Sequence, residues 1–231
     1  GTLVADFDPT RTTQASTSFS GSTGETWTIN GLGFIYAAPV YLGYLSEEAR
    51  TNLCLRSQEF DNASWTKTDT TITADNIASP DGTANADLFT EGVAGTALIT
   101  QGSMTISAGA TVTFSIFAKR GNTDWTLLTV ANNVASTGFR AWVNLGSGSI
   151  GTTGALGTGT ITGSSVQSFP GGWWRIRITG TIDAATTAAN VFWHSASANN
   201  SGTRVNNSTR YAYGAQLEVG AFATSYIPTA A

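Results

Sequence analysis

Apolar and polar positions alternate with period two through most of this chain, interrupted by Gly, Asn and Asp-Gly. Such alternation marks strands that bury one face and turn the other outward. Thr111 to Lys119 (TVTFSIFAK) puts Val112, Phe114, Ile116 and Ala118 on one face. Phe139 to Leu145 (FRAWVNL) puts Phe139, Ala141, Val143 and Leu145 on one face, with Arg140, Trp142 and Asn144 opposite. Trp173 to Ile182 sets Trp174, Ile176, Ile178 and Ile182 inward and Trp173, Arg175 and Arg177 outward. Asn190 to Ser195 opposes Val191 and Trp193 to Phe192 and His194. Tyr211 to Val219 opposes Tyr211, Tyr213, Leu217 and Val219 to Gln216 and Glu218. Weaker strands are expected at Leu3 to Phe7, Trp27 to Ile29, Gly33 to Tyr44, Ile72 to Ala74, Asp87 to Thr90, Leu98 to Ile106 and Trp125 to Val130.

The pattern leaves room for one short helix, from Ser46 to Leu53; elsewhere no apolar run keeps helical spacing without Gly or Pro. About a dozen short strands with turn signals between them read as a sandwich, a jelly roll or a barrel. Gly146 to Ser165 is rich in Gly, Thr and Ser and reads either as a hairpin of weakly specified register or as a mobile loop. Residues 1–45, which include the turn-rich tract Thr10 to Gly24, read as an N-terminal arm or accessory hairpin feeding a main domain of residues 46–231.

Composition narrows the function. Only 11% of residues are charged, yet 41% are hydrophobic and seven are Trp and eleven Phe, so the chain can bury a core that disordered chains lack. The net charge of −4 argues against a nucleic-acid partner, which needs a basic stripe. One Cys, Cys54, excludes an intrachain disulfide, and one Cys with one His excludes a structural Cys/His zinc site. No apolar run approaches the roughly 20 residues of a membrane helix, and no signal peptide is expected.

Four segments carry a family resemblance: EEARTNL (Glu47 to Leu53), EFDNASWTK (Glu59 to Lys67), SPDGTANADL (Ser79 to Leu88) and YGAQLEVGAFATSYIPT (Tyr213 to Thr229). FSIFAKRGN, WVNLGSGSIGT and GGWWRIRITGT lie between them. In this order and spacing they resemble the carbohydrate-binding-module-like domains of bacteriophage and prophage virion fibres, over residues 46–229. The resemblance implies an all-β, concanavalin-like jelly-roll β-sandwich with an N-terminal arm. It also implies a non-enzymatic virion surface protein, a fibre, spike or decoration subunit made in the bacterial cytoplasm. Its expected partners are other virion proteins, host surface glycan, and further copies of itself in a homo-oligomer, a trimer above all. A free-standing lectin is the alternative. Within it, Phe60 and Trp65 are expected core anchors, Glu48 and Arg50 a local pair, and SYIPT a strap with Tyr226 and Ile227 tucked in.

No catalytic constellation stands out. His194 is the single histidine and lies in an alternating strand, and no Gly-x-Ser-x-Gly elbow occurs. The acids are scattered; Glu218, in mid-strand, is expected to pair with Arg175 or Arg177 before it would serve a glycosidase. Related sandwich modules hold a structural Ca²⁺, which stays open as an alternative, but no acidic cluster is visible and no cofactor is expected. The outward positions Phe117, Lys119, Arg140, Trp142, Asn144, Trp173, Arg175, Arg177, Phe192, His194, Gln216 and Glu218 mix aromatics with planar polar groups. Such a face suits a glycan or a neighbouring subunit. Trp142, Trp173, Arg175, Arg177, His194 and Gln216 are expected to share it.

Overall fold

A computed structural model describes residues 47–230, together with the backbone of residues 27–29 and 32–34. The chain divides after Ser46 into two units. In the first, β1 (Trp27–Ile29) and β2 (Leu32–Phe34) form an antiparallel hairpin with Trp27 opposite Phe34. They flank Asn30-Gly31, a pair that favours two-residue hairpin turns. The strand expected at Leu3 to Phe7, most of the one at Gly33 to Tyr44, and the tract Thr10 to Gly24 lie outside the described residues.

The second unit is a jelly-roll β-sandwich. Its strands are β3 (Thr66–Thr68), β4 (Thr70–Ala78), β5 (Ala84–Glu91), β6 (Leu98–Thr105), β7 (Thr111–Arg120) and β8 (Trp125–Ala131). They continue with β9 (Gly138–Asn144), β10 (Ser149–Leu156), β11 (Thr160–Phe169), β12 (Trp173–Thr181), β13 (Ala188–Ser195) and β14 (Thr209–Val219). They build two six-stranded antiparallel sheets: a first sheet in the order β10-β9-β8-β13-β6-β3, and a second in the order β11-β12-β7-β14-β5-β4. The chain passes repeatedly from one sheet to the other, so the inward faces close on a single core.

That core holds the residues that alternation turned inward. Val112, Phe114, Ile116 and Ala118 of β7 meet Phe139, Ala141 and Val143 of β9, Ile176 and Ile178 of β12, and Val191 and Trp193 of β13. Phe60 lies between Trp65 and Phe89, with ring centroids 4.8 and 5.1 Å away. Each large side chain buried this way contributes roughly 1.5–3 kcal/mol. Cys54 is buried, its Sγ 3.9 Å from the sulfur of Met104.

Three expectations change. Residues 47–53 form no helix; Asn52 and Leu53 run beside β14, where the Leu53 N–H donates to Leu217 O and the Leu217 N–H to Asn52 Oδ1. The segment continues the sheet where β5 leaves β14, and strand pairing outcompetes a helix of two turns. Gly146 to Ser165 is neither a loop nor a hairpin. Its two strands belong to different sheets, β10 pairing with β9 and β11 with β12, and the turn at Gly157 to Gly159 carries the chain between them. A side chain at Gly159 would collide with the Gly138 carbonyl, so the two backbones approach closely there. Finally, β14 does not alternate throughout. A bulge between Tyr213 and Gln216, with Gly214 at φ 62°, shifts the register. Tyr213 and Gln216 therefore share the outer face, opposite Phe117 and Ser115, while Leu217 points into the core.

Candidate functional site

The outer face of the second sheet is largely covered over β7 and β14. Residues 221–229 cross it as the expected strap, and its polar side chains are tied to that strap. Gln216 accepts from the Ile227 N–H (2.7 Å) and donates to Glu218 (2.6 Å). Glu218 accepts from the Thr224 hydroxyl and N–H at 2.5 and 3.1 Å, and Arg175 donates to the Thr224 carbonyl at 2.6 Å. The ion pair expected for Glu218 with Arg175 or Arg177 is thus replaced by a network running through Thr224. Burial, with Arg177 nearby, lowers the Arg175 guanidinium to about 10. Alongside, Trp173, Phe117 and Tyr213 form a second apolar cluster under Tyr226, whose hydroxyl bonds to Ser57 (2.6 Å).

Arg177 remains partly open, beside a groove of about 410 Å³ lined by Thr113, Ser164, Ser165, Thr179 and Phe222. The groove is internally satisfied. Thr113 and Thr179 bond to each other (2.9 Å), Arg177 donates to Gln167 (2.7 Å), and Arg50 covers one face of the Phe222 ring.

A charged cluster lies inside the sandwich. Arg210 sits 4.5 Å from the Trp193 ring centroid and 5.4 Å from that of Phe89, and it pairs with Glu91 at 2.5 Å. Glu91 also accepts from the Ser195 N–H and hydroxyl. Burial opposes its charge, but Arg210 and Ser195 hold its carboxyl below the ordinary range. His194 is 5% exposed and donates from Nδ1 to the Ser195 carbonyl. Burial first, and then the positive charge of Arg204, lowers it to about 4. It has no route to a substrate.

The outer face of the first sheet is half covered. The loop from Ala196 to Val205 folds over Trp125, Leu127 and Trp142; the Trp142 indole donates to Ser201 O at 2.7 Å, and Asn199 accepts from the Thr152 N–H. The next row across the sheet is partly open, with Thr129 buried at its middle. Pairing aligns Thr66, Thr100, Phe192, Thr129, Arg140 and Gly154 through six strands. The Phe192 and Arg140 side chains are half-buried. Arg140 sits over the buried Trp142, its guanidinium carbon 4.7 Å from the ring centroid. Among the described residues its Nε has no hydrogen-bond partner, and the ion pairs there join other groups. The Phe192 ring can stack on a sugar, and the end of the Arg140 guanidinium can donate to its oxygens; Thr129 between them is buried and the Thr100 hydroxyl donates to Val191 O.

The six residues expected to share a face do not. Trp142 and His194 belong to the first sheet and Trp173, Arg175, Arg177 and Gln216 to the second, on opposite sides of the sandwich. All but Arg177 are buried. Alternation separated inward from outward correctly for all six, but it carries no information on sheet membership or on what covers an outer face. Phe192 and Arg140 were within the wider outward set. Arg210 and Glu91 were missed; a lone Arg opening a buried strand was the available signal. Among the described residues no group of three or more His, Cys, Asp or Glu is placed to share a metal ion.

No family model matches this chain, and no curated protein matches it. Among solved structures, it is similar to the enzymatically active domain of tailspike protein 4 of bacteriophage CBA120, at TM-score 0.39 and 14% identity over 70% of this chain. It is similar to the CBM22-1–GH10 modules of the Clostridium thermocellum xylanase 10B, at TM-score 0.39 and 13% identity over 77% of this chain. It spans only 20% and 29% of those two chains. A structure described as "CBM4 structure and function" superposes at TM-score 0.36 and 14% identity, over 71% of this chain and 84% of that one. At these scores the likenesses carry no functional weight.

Proposed function

We propose that this chain is a non-enzymatic bacteriophage virion surface protein, a fibre, spike or decoration subunit, whose sandwich holds host surface glycan on the open half of its first sheet. The virion assignment rests on the sequence resemblance of residues 46–229. The glycan assignment rests on one observation: Phe192 and Arg140 stay half-exposed on the outer face of the first sheet, on either side of the buried Thr129, while Trp142, Trp173, Arg175, Gln216 and Glu218 are sealed under a loop or a strap. The burial of His194 and the engagement of Glu91 and Glu218 support the absence of catalysis.

A glycan array probed with the full chain tests the binding. Wild type is expected to retain a subset of oligosaccharides, and Phe192→Ala to lose about 1–3 kcal/mol of that affinity, by analogy with bases stacked on aromatics. Retention of wild-type affinity by the variant would move the site elsewhere. Mass spectrometry of purified particles tests the virion assignment, which the chain's absence from them would overturn.

A further inference from the structure

We propose that the open row takes an acidic glycan, a saccharide carrying a carboxylate, which seats on the guanidinium of Arg140 while a sugar ring lies against Phe192. This deepens the glycan reading of the same face and rests on it.

The charge distribution carries the argument. The six strands of the first sheet contain no Asp or Glu, although the whole chain has a net charge of −4. Their fixed cations are Lys67 and Arg140. Lys67 is engaged, donating to the carbonyls of Asp61 and Asn62 at 2.8 Å. Acids in the adjoining loops are engaged as well. Asp124 pairs with Arg120, and Asp183 accepts from Thr137, Thr186 and the Ala185 N–H. Arg140 is thus a partly desolvated cation that no carboxylate meets among the described residues.

Geometry makes it a receptor. Trp142, fixed by its bond to Ser201, supports the guanidinium plane from below. Gly154 opposite presents no side chain, and even a methyl group there would stand 3.8 Å from Nε. With Nε buried, the outer end of the guanidinium faces a ligand, and a planar guanidinium matches a carboxylate through two parallel N–H···O bonds, which a spherical ammonium cannot reproduce. Phe192 lies two strands away, about 10 Å at the usual strand spacing. A ligand of disaccharide size reaches both groups.

The test titrates the full chain with the best acidic binder from an array of uronate-, sialate- and neutral oligosaccharides, and with the methyl ester of that binder. Esterification keeps the sugar and removes the anion. We expect acidic glycans to lead the array. Esterification and Arg140→Gln should each weaken binding about ten- to a hundredfold. Arg140→Lys should restore only part, and Arg177→Gln should change nothing. The ester arm needs no variant, so it stands even if substituting Arg140 disturbs Trp142. If neutral glycans lead the array and lose affinity in Phe192→Ala but not in Arg140→Gln, the acidic assignment is wrong and the glycan site stands. If no glycan binds, the glycan reading itself fails. An effect of Arg177→Gln equal to that of Arg140→Gln would place the anion in the groove and overturn the proposal.

Discussion

His194 gives the stability of this sandwich a pH dependence that can be assigned to one atom pair. The imidazole is the only one in the chain, is buried, and has its folded value at about 4 against an ordinary 6.5. A histidine whose pKa falls on folding stabilises the native state while neutral. As pH drops below 6.5 the unfolded chain takes up the proton first, and stability is lost between about 6.5 and 4. At pH 5 that loss amounts to about 2 kcal/mol, against almost nothing at pH 7.5. Asp87 acts in the opposite sense. Burial raises it to about 6 even though the Asp75 and Phe60 N–H groups donate to it. Its folded form holds a proton that the unfolded form has released, so the same acidification returns about 1.4 kcal/mol. The wild-type profile is therefore nearly flat, and only a difference reveals the histidine. Urea denaturation of wild type and His194→Gln at pH 7.5 and 5 measures it. The stability difference between the two proteins should shift by about 2 kcal/mol in favour of the variant on acidification. Proton NMR of the single imidazole should place its titration well below 5. A midpoint near 6.5, or a difference independent of pH, would refute the burial argument.

Arg210→Met leaves Glu91 buried without its counter-ion, and a destabilisation of about 3–5 kcal/mol is expected in urea denaturation; a loss under about 1 kcal/mol would mean the pair is hydrated. Gly214→Ala forces a side chain into the left-handed region and within 3.1 Å of the Tyr226 ring, so a loss of about 1–3 kcal/mol is expected. An unchanged melting temperature would show that the bulge relaxes in solution.

Strand faces were legible wherever alternation was unbroken. β7, β9 and β13 bury the residues that period two assigns inward, because a one-residue slip would expose the entire apolar set. Legibility failed where glycine let the backbone leave the period. Gly214 shifts one half of β14 against the other, and the tight turn at Gly157 to Gly159 sends β10 and β11 into different sheets. Gly, Thr and Ser dominate Gly146 to Ser165, and its scattered Ile150, Leu156 and Ile161 make no continuous apolar face, so nothing local distinguished a hairpin from a crossover.

The candidate site was half legible for a related reason. "Outward" in a sandwich means away from the shared core, not toward water. Arg175, Gln216 and Glu218 face outward and are buried, because a strap more than 200 residues into the chain returns to satisfy them. Trp142 faces outward and is buried, because a carbonyl of the loop from Ala196 to Val205 accepts from its indole N–H. Each cover is recruited by the polar atoms it satisfies, since a buried donor without a partner costs about 1–3 kcal/mol. The same cost makes the half-buried, unpartnered Arg140 Nε informative. Arg140 rests on Trp142 in a sheet whose strands carry no carboxylate, and among the described residues neither a strap nor a loop carbonyl meets it. In a molecule that caps its other outward polar clusters from within, the row left uncapped is where an external oxygen-rich ligand completes the pattern.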